Sequence, residues 1–137
     1  MTNATFRGSC LCGSVKYEIT GDPQRFYHCH CTRCRKATGT GHATNLMIKA
    51  DSIRWLQGES QLAFYKVPEA ERFTNSFCKN CGARVPRYIK EPGFVMIPAG
   101  SLDHEPGIAP QGRIFWNSRA AWSCSDDNLP VFTEYPK

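Results

Sequence analysis

Seven of the eight cysteines in this chain fall into three short groups, and their spacing constrains the fold more than any other feature. The groups are Cys10-Leu11-Cys12-Gly13, Cys29-His30-Cys31-x2-Cys34 and Cys78-Lys79-Asn80-Cys81-Gly82, while Cys124 stands apart. A disulfide within Cys-x-Cys would be badly strained. A zinc ion instead needs sulfurs that converge at about 2.3 Å from one point. A Cys-x2-Cys turn achieves this because the chain doubles back, and the glycine after it allows φ > 0. The first and third groups each offer two ligands and a closing glycine. Together they predict a four-cysteine structural zinc site made of Cys10, Cys12, Cys78 and Cys81, which staples distant parts of the chain.

The middle group then holds three ligands, Cys29, Cys31 and Cys34, with no evident fourth. Three protein ligands and one open position is the pattern of a reactive zinc site. Other arrangements are conceivable. Cys10, Cys12, Cys29 and Cys31 could share one ion and leave Cys34, Cys78 and Cys81 to another, although this splits a compact triplet. His42, His104 or Cys124 could close the second site. His28 and His30 flank a ligand in an extended segment, so their side chains point away from it. The default for all four histidines is a hydrogen-bonded surface or core residue. For Cys124 it is a buried, inert thiol.

A chain of 137 residues suits one domain, and its 41% hydrophobic content fills one modest core. A staple matters at this size. The first ten residues, MTNATFRGSC, hold no apolar run of a secretory signal, and no stretch approaches about 20 apolar residues. The expectation is a soluble cytoplasmic protein without a membrane partner, whose cysteines are thiols or metal ligands. The formal charge of +5 is weak evidence for a polyanion partner. Seven thiolates and two zinc ions would lower it to roughly +2, and only Arg33, Arg35 and Lys36 cluster. Nucleic acid is therefore an unfavoured partner.

Short alternating runs bounded by turn residues dominate: VKYEI, SIRWL, QLAFY, ERFTNSF, ARVPRYI, GFVMI and GRIFWN. Each reads as a strand. Pro86 demotes its run to an edge or bulged strand. The best helical candidate is TRCRKATG, with Gly39 as its C-cap. The prediction is a mainly β fold of small antiparallel sheets around zinc knuckles.

The order GSCLCGSVKYEI, YHCHCTRCRKATGT, FCKNCGA, AGSLD, GRIFWNSRAAW and LPVFTEYP resembles the glutathione-dependent formaldehyde-activating enzyme family, which includes relatives of centromere protein V. The likeness runs from about Gly8 to Pro136 and suggests one zinc domain over residues 1–137. It implies a fold similar to that of the methionine-R-sulfoxide reductases. It also implies a structural zinc on Cys10, Cys12, Cys78 and Cys81 and a catalytic zinc on Cys29, Cys31 and Cys34. The implied activity is that of a carbon–sulfur lyase run in reverse: glutathione, or a related thiol, adds to formaldehyde or another small aldehyde to give S-hydroxymethylglutathione. Two departures stand out. Ala83 replaces a Ser or Thr common in relatives, and Arg113 replaces a His, with consequences for the pocket if that strand lines it.

On this reading the partners are a small-molecule thiol and an aldehyde, two zinc ions serve as cofactors, and glutathione is the co-substrate. Arg33, Arg35 and Lys36 adjoin the open site and are candidates for contacts with glutathione carboxylates. The sequence assigns no oligomeric state. The alternative is a non-catalytic zinc-binding module for protein or nucleic-acid interaction, which needs the second site closed or empty. A thiol redox enzyme using Cys124 or Cys34 is a third possibility.

Overall fold

One long strand organises the molecule. Nine strands and one α-helix are found among residues 3–124 and 128–136, the part of the chain described by the computed structural model. The N-terminal half of β2 (Lys16–Cys29) lies between β1 (Ala4–Ser9) and β4 (Arg54–Gln57), both antiparallel to it. Its C-terminal half lies between antiparallel β3 (Ala43–Lys49) and parallel β9 (Gly112–Ile114). β3 continues to β8 (Phe94–Pro98), and β8 to the edge strand β7 (Arg87–Ile89). The pair β5 (Leu62–Lys66) and β6 (Thr74–Cys78) forms a separate two-stranded sheet.

The mainly β, mainly antiparallel expectation holds, but the strands join into one seven-stranded sheet in which the β2–β9 pairing is parallel. VKYEI is only the start of β2, and the strands β1 and β3 lie outside every run singled out in the sequence. The register of β2 shifts between Pro23 and Arg25. Buried positions fall on Tyr17 and Ile19 before the shift and on Phe26 after it. An extra residue bends a strand and changes which face its side chains take. Pro23 fits there because it lacks an N–H to donate to the ladder. Through this bend one strand serves two halves of the sheet.

The main core gathers on the inner faces: Phe6, Tyr17, Ile19, Phe26, Leu46, Ile48, Val95 and Ile97 are all buried. Tyr17 takes its hydroxyl into this core, and the hydroxyl meets Ser101 Oγ at 2.7 Å. Burial pushes its pKa up to about 12. Two satellite clusters have cysteines at their centres. One buries Cys10 and Cys78 with Val15 and Val85, and the other buries Cys29 and Cys34 with Ala43. Trp55 packs against both the main core and the first satellite.

The helix α1 (Thr32–Thr38) forms where TRCRKATG predicts it. Cys31 caps its start, with Sγ accepting from the Cys34 N–H at 3.3 Å. Gly39 ends it at φ 72°, its N–H donating to Arg35 O at 2.8 Å. Only a residue without a Cβ enters that left-handed region at little cost.

Leu46 sits fully buried on β3, the strand that joins β2 to β8. Leu46→Ala is expected to cost about 2–5 kcal/mol of unfolding free energy. Leu56→Ala, at a position 47% exposed, is expected to stay within about 0.5 kcal/mol of the parent. Urea unfolding of the two variants checks the contrast.

Candidate metal centres

The first centre comes from two knuckles far apart in the chain. CLCG turns between β1 and β2, and FCKNCG turns at the end of β6. Gly13 and Gly82 close the two turns at φ 79° and 77°. The Gly82 N–H donates to Cys78 O at 2.7 Å, and the Gly13 N–H donates to Cys10 O at 3.0 Å. The four sulfurs of Cys10, Cys12, Cys78 and Cys81 lie within 4.8 Å of one another. Cys12 Sγ is 3.6 Å from that of Cys10 and 3.9 Å from that of Cys78. A tetrahedron with bonds of about 2.3 Å has edges of about 3.8 Å, so this cluster can hold a tetrahedral metal ion.

Neutral donors surround these sulfurs. Ser14 Oγ stands 3.1 Å from Cys12 Sγ and 3.5 Å from Cys78 Sγ. Asn80 Nδ2 donates to Cys12 Sγ at 3.2 Å, and the Val15 N–H donates to Cys10 Sγ at 3.3 Å. The Ser14 hydroxyl, then the Asn80 amide, hold the Cys12 thiol down at about 5. Ser14 likewise lowers Cys78. Metal ligation needs thiolates, and these donors favour them.

The second centre is built at the junction of β2 and α1. Cys29 ends the strand, Cys31 caps the helix and Cys34 lies in its first turn. Their sulfurs also converge within 4.8 Å of one another. The hydrogen bond with Cys34 holds the Cys29 thiol down at about 6. The same contact, with burial, pushes Cys34 up. Among the described residues no histidine, carboxylate or further cysteine joins either cluster. The grouping of four and three follows the knuckle pairing read from the spacing, and the alternative split of the triplet is not the one that forms.

All three thiols of the second centre line a cavity of about 460 Å³. Its floor is one face of the sheet. Cys29 pairs with Ala43, Asn45 lies two residues further along β3, and Met96 on β8 pairs with Arg87 on β7. Arg33 of α1, Phe73, Thr74 and Arg84 build the walls, with Phe115 beside them. Phe115 is 63% exposed and takes φ 54°, a region unusual for an aromatic residue. The sequence reading missed Asn45, Phe73, Arg84, Arg87, Met96 and Phe115. The one available signal was two arginines flanking Val85-Pro86 in a run read as an edge or bulged strand.

The three basic residues of α1 part company. Arg33 lines the cavity, Arg35 donates to Ser118 O at 2.9 Å, and Lys36 lines a neighbouring hollow with Tyr65 and Glu69. Arg113 is outside the cavity and stands 5.8 Å from the centroid of the Trp116 ring. Ala83 packs into the first cysteine cluster, and its carbonyl accepts from the Cys78 N–H at 2.9 Å.

The histidines form a group of their own on the other side of β2. His28 Nδ1 and His42 Nδ1 both meet Thr44 Oγ1, at 2.8 and 3.2 Å. The His42 ring lies 4.2 Å from that of His28 and 5.0 Å from that of His30. Burial lowers the pKa of all three, and neighbouring cations add to this. His30 departs from the default reading: it is fully buried against Trp116, and neither ring nitrogen has a well-formed hydrogen bond. Arg7 N–H donates to His104 Nε2, so that histidine does follow the default. Cys124 is exposed, a correction to the buried thiol expected: it sits at φ 57°, and the buried side chain at this bend is Ser123.

The family model for the glutathione-dependent formaldehyde-activating enzyme matches residues 5–118. A comparison with curated proteins finds no match. Among solved structures, the crystal structure of a Rhodobacter sphaeroides protein is similar with a TM-score of 0.55 and 21% identity. The similarity covers 76% of this chain and 97% of that one. It supports the fold.

Gly82 has open space around the position a Cβ would take, so a substitution there meets only the backbone penalty. Gly82→Ala is expected to lose about 1–2 kcal/mol of stability. Gly100, equally open and without a positive φ, provides the control: Gly100→Ala is expected to leave the denaturation midpoint nearly unchanged.

Proposed function

The chain belongs to the glutathione-dependent formaldehyde-activating enzyme family, and on that footing we propose that it is a zinc enzyme that adds a thiol to a small aldehyde. The reaction is the reverse of a carbon–sulfur lyase step. Glutathione is the thiol, formaldehyde the aldehyde and S-hydroxymethylglutathione the product. The carrying observation is that Cys29, Cys31 and Cys34 come together, without a fourth protein ligand among the described residues, on the wall of a cavity large enough for a small molecule.

Two zinc ions have separate work in this reading. Cys10, Cys12, Cys78 and Cys81 would hold a structural one, and Cys29, Cys31 and Cys34 would hold a reactive one. Zinc bound at the triplet supplies a Lewis-acidic centre that favours the thiolate form of an incoming thiol. The protein's own residues do the rest. Cys31 and Cys34 are fixed by the helix start, and all three thiols of the triplet line the cavity. Phe73, Met96 and Phe115 supply apolar walls that limit water around the reactants. Arg33 offers a cation close to the thiols, suited to an anionic thiol substrate. In the step itself the carbon–sulfur bond forms, the carbonyl π bond opens, and the thiol proton ends on the new hydroxyl oxygen. Thiols add to formaldehyde unaided, so positioning is the main contribution asked of the protein.

The eight cysteines carry no disulfide, which suits a reducing compartment such as the cytoplasm. No described helix is long and apolar enough to cross a membrane.

Metal analysis is expected to find about two zinc ions per chain, and Cys31→Ser is expected to retain one of them. With the parent protein, glutathione and formaldehyde should form their adduct faster than in buffer, and Cys31→Ser should remove the difference. Equal rates with and without the parent protein would point instead to a zinc-binding interaction module.

A further inference from the structure

The cavity beside Cys29, Cys31 and Cys34 carries more positive charge than those thiols account for. Arg33, Arg84 and Arg87 line it, and among the described residues no aspartate or glutamate does. Among the described residues the two ion pairs both use Glu18, with Arg7 and Arg54. Three thiolates around a divalent ion would leave one net negative charge against three guanidiniums. The positive excess therefore faces the open space.

Among the described residues, two polar atoms on this surface are buried and without a hydrogen-bond partner. Arg87 Nε lacks an acceptor, and Asn45 Oδ1 lacks a donor. Each such group carries an uncompensated desolvation penalty when left unsatisfied. They share one sheet face, because Asn45 pairs with Pro98 while Arg87 pairs with Met96, two residues earlier on β8. Arg84 is tethered beside them by its Nε–H bond to Asn75 Oδ1 at 2.6 Å. Burial lowers the pKa of both arginines, and the charge on Arg84 adds to the effect on Arg87. A bound anion relieves the guanidinium penalty, and an N–H donor beside it relieves that of Asn45.

We infer that Arg84, Arg87 and Asn45 form a subsite for the C-terminal end of a peptide thiol, a carboxylate with an adjoining amide N–H. The carboxylate meets the guanidiniums and the amide donates to Asn45 Oδ1. This inference rests on the proposed thiol-adding function and specifies which end of the thiol substrate the protein reads. The layout fits. Cys29 and Arg87 line the same cavity on one sheet face, three strand spacings across and four residues along the strands, about 19 Å between their Cα atoms. A cysteinyl sulfur directed at the triplet, followed by one C-terminal residue, reaches back toward Arg87, whose side chain covers the remaining span. A bare thiol has no group to place there.

The test uses the protein loaded with cobalt(II) in place of zinc, whose visible absorption reports thiol binding at the triplet. Glutathione is compared with its glycine ethyl ester and with cysteamine. The expected result is that glutathione binds about tenfold or more tighter than the ester, and that Arg87→Gln removes this difference while leaving cysteamine binding unchanged. Arg87→Lys should recover part of it, since the charge returns without the planar fork. The comparison of glutathione with its ester on the parent protein needs no variant, so a poorly folded Arg87→Gln does not block the test.

Equal binding of glutathione and the ester would overturn the subsite. So would an Arg87→Gln protein that weakens all three thiols alike or loses metal, because the arginine would then only balance the thiolate charge. A dependence on Arg87 seen with glyoxylate against formaldehyde, and not with the thiols, would place the carboxylate on the aldehyde and also overturn it. If no thiol, cysteamine included, perturbs the cobalt spectrum, the proposed thiol-binding function itself fails, and that result is separate from the others.

Discussion

The convergence of four sulfurs from residues 10, 12, 78 and 81 is the constraint on which the rest of the molecule depends. It joins the turn between β1 and β2 to the end of β6, 66 residues apart between Cys12 and Cys78. The apolar satellite around it buries only Cys10, Val15, Cys78 and Val85. That is too small a cluster to fix two knuckles by burial alone, at about 0.8 kcal/mol per buried methylene. Four thiolates within 4.8 Å also repel one another. A divalent cation turns this repulsion into attraction. The Ser14 hydroxyl and Asn80 amide stabilise the charged sulfurs without adding charge of their own. Once this joint is made, the chain leaving Cys81 passes along the sheet edge, and Arg84 and Arg87 arrive at the cavity as a consequence.

The bend in β2 completes the arrangement. Without the extra residue near Pro23, the strand could not present Tyr17 and Ile19 to the core and then carry Phe26 inward on the other parity. Beyond the bend, alternation separates two chemistries on one short segment. Cys29 faces the cavity, while His28 and His42 meet through Thr44 on the opposite side. Two guanidiniums, of Arg113 and Arg119, lie over Trp116, whose edge meets the His30 ring. The GRIFWNSRAAW segment thus backs the metal knuckle from behind, and His30 N–H donates to Ile114 O at 2.9 Å.

This division explains what the sequence made legible. Ligand spacing is local, so both cysteine clusters could be read before any strand was placed, and so could the αL glycine that ends α1. The stretch from Gly21 to Pro23 hides the continuity of β2, because Gly, Asp and Pro are turn formers. β1 and β3 were obscured for another reason: ATFRGS and ATNLMIK mix small and polar residues with few aromatics, and their strand state is set by pairing with β2. Arg84 and Arg87 could not be assigned, since two basic residues around Val85-Pro86 look like any solvated edge. Only the registers β3–β8 and β8–β7 bring that edge onto the sheet face that holds Asn45.

The two cysteine centres differ less in their ligands than in what surrounds them. The first is ringed by neutral donors, and its four sulfurs leave a tetrahedral ion no open direction. The second has three sulfurs, and they line a cavity shared with Arg33, Arg84 and Arg87, whose charge is not matched by any carboxylate among the described lining residues. Four thiolates around a divalent ion would carry two net negative charges and three would carry one, so balancing the cysteine clusters alone does not account for cations at the second. An anionic ligand that completes the second does. The distribution of arginines is therefore a second argument, independent of ligand count, for assigning the structural role to the first centre and the reactive role to the second.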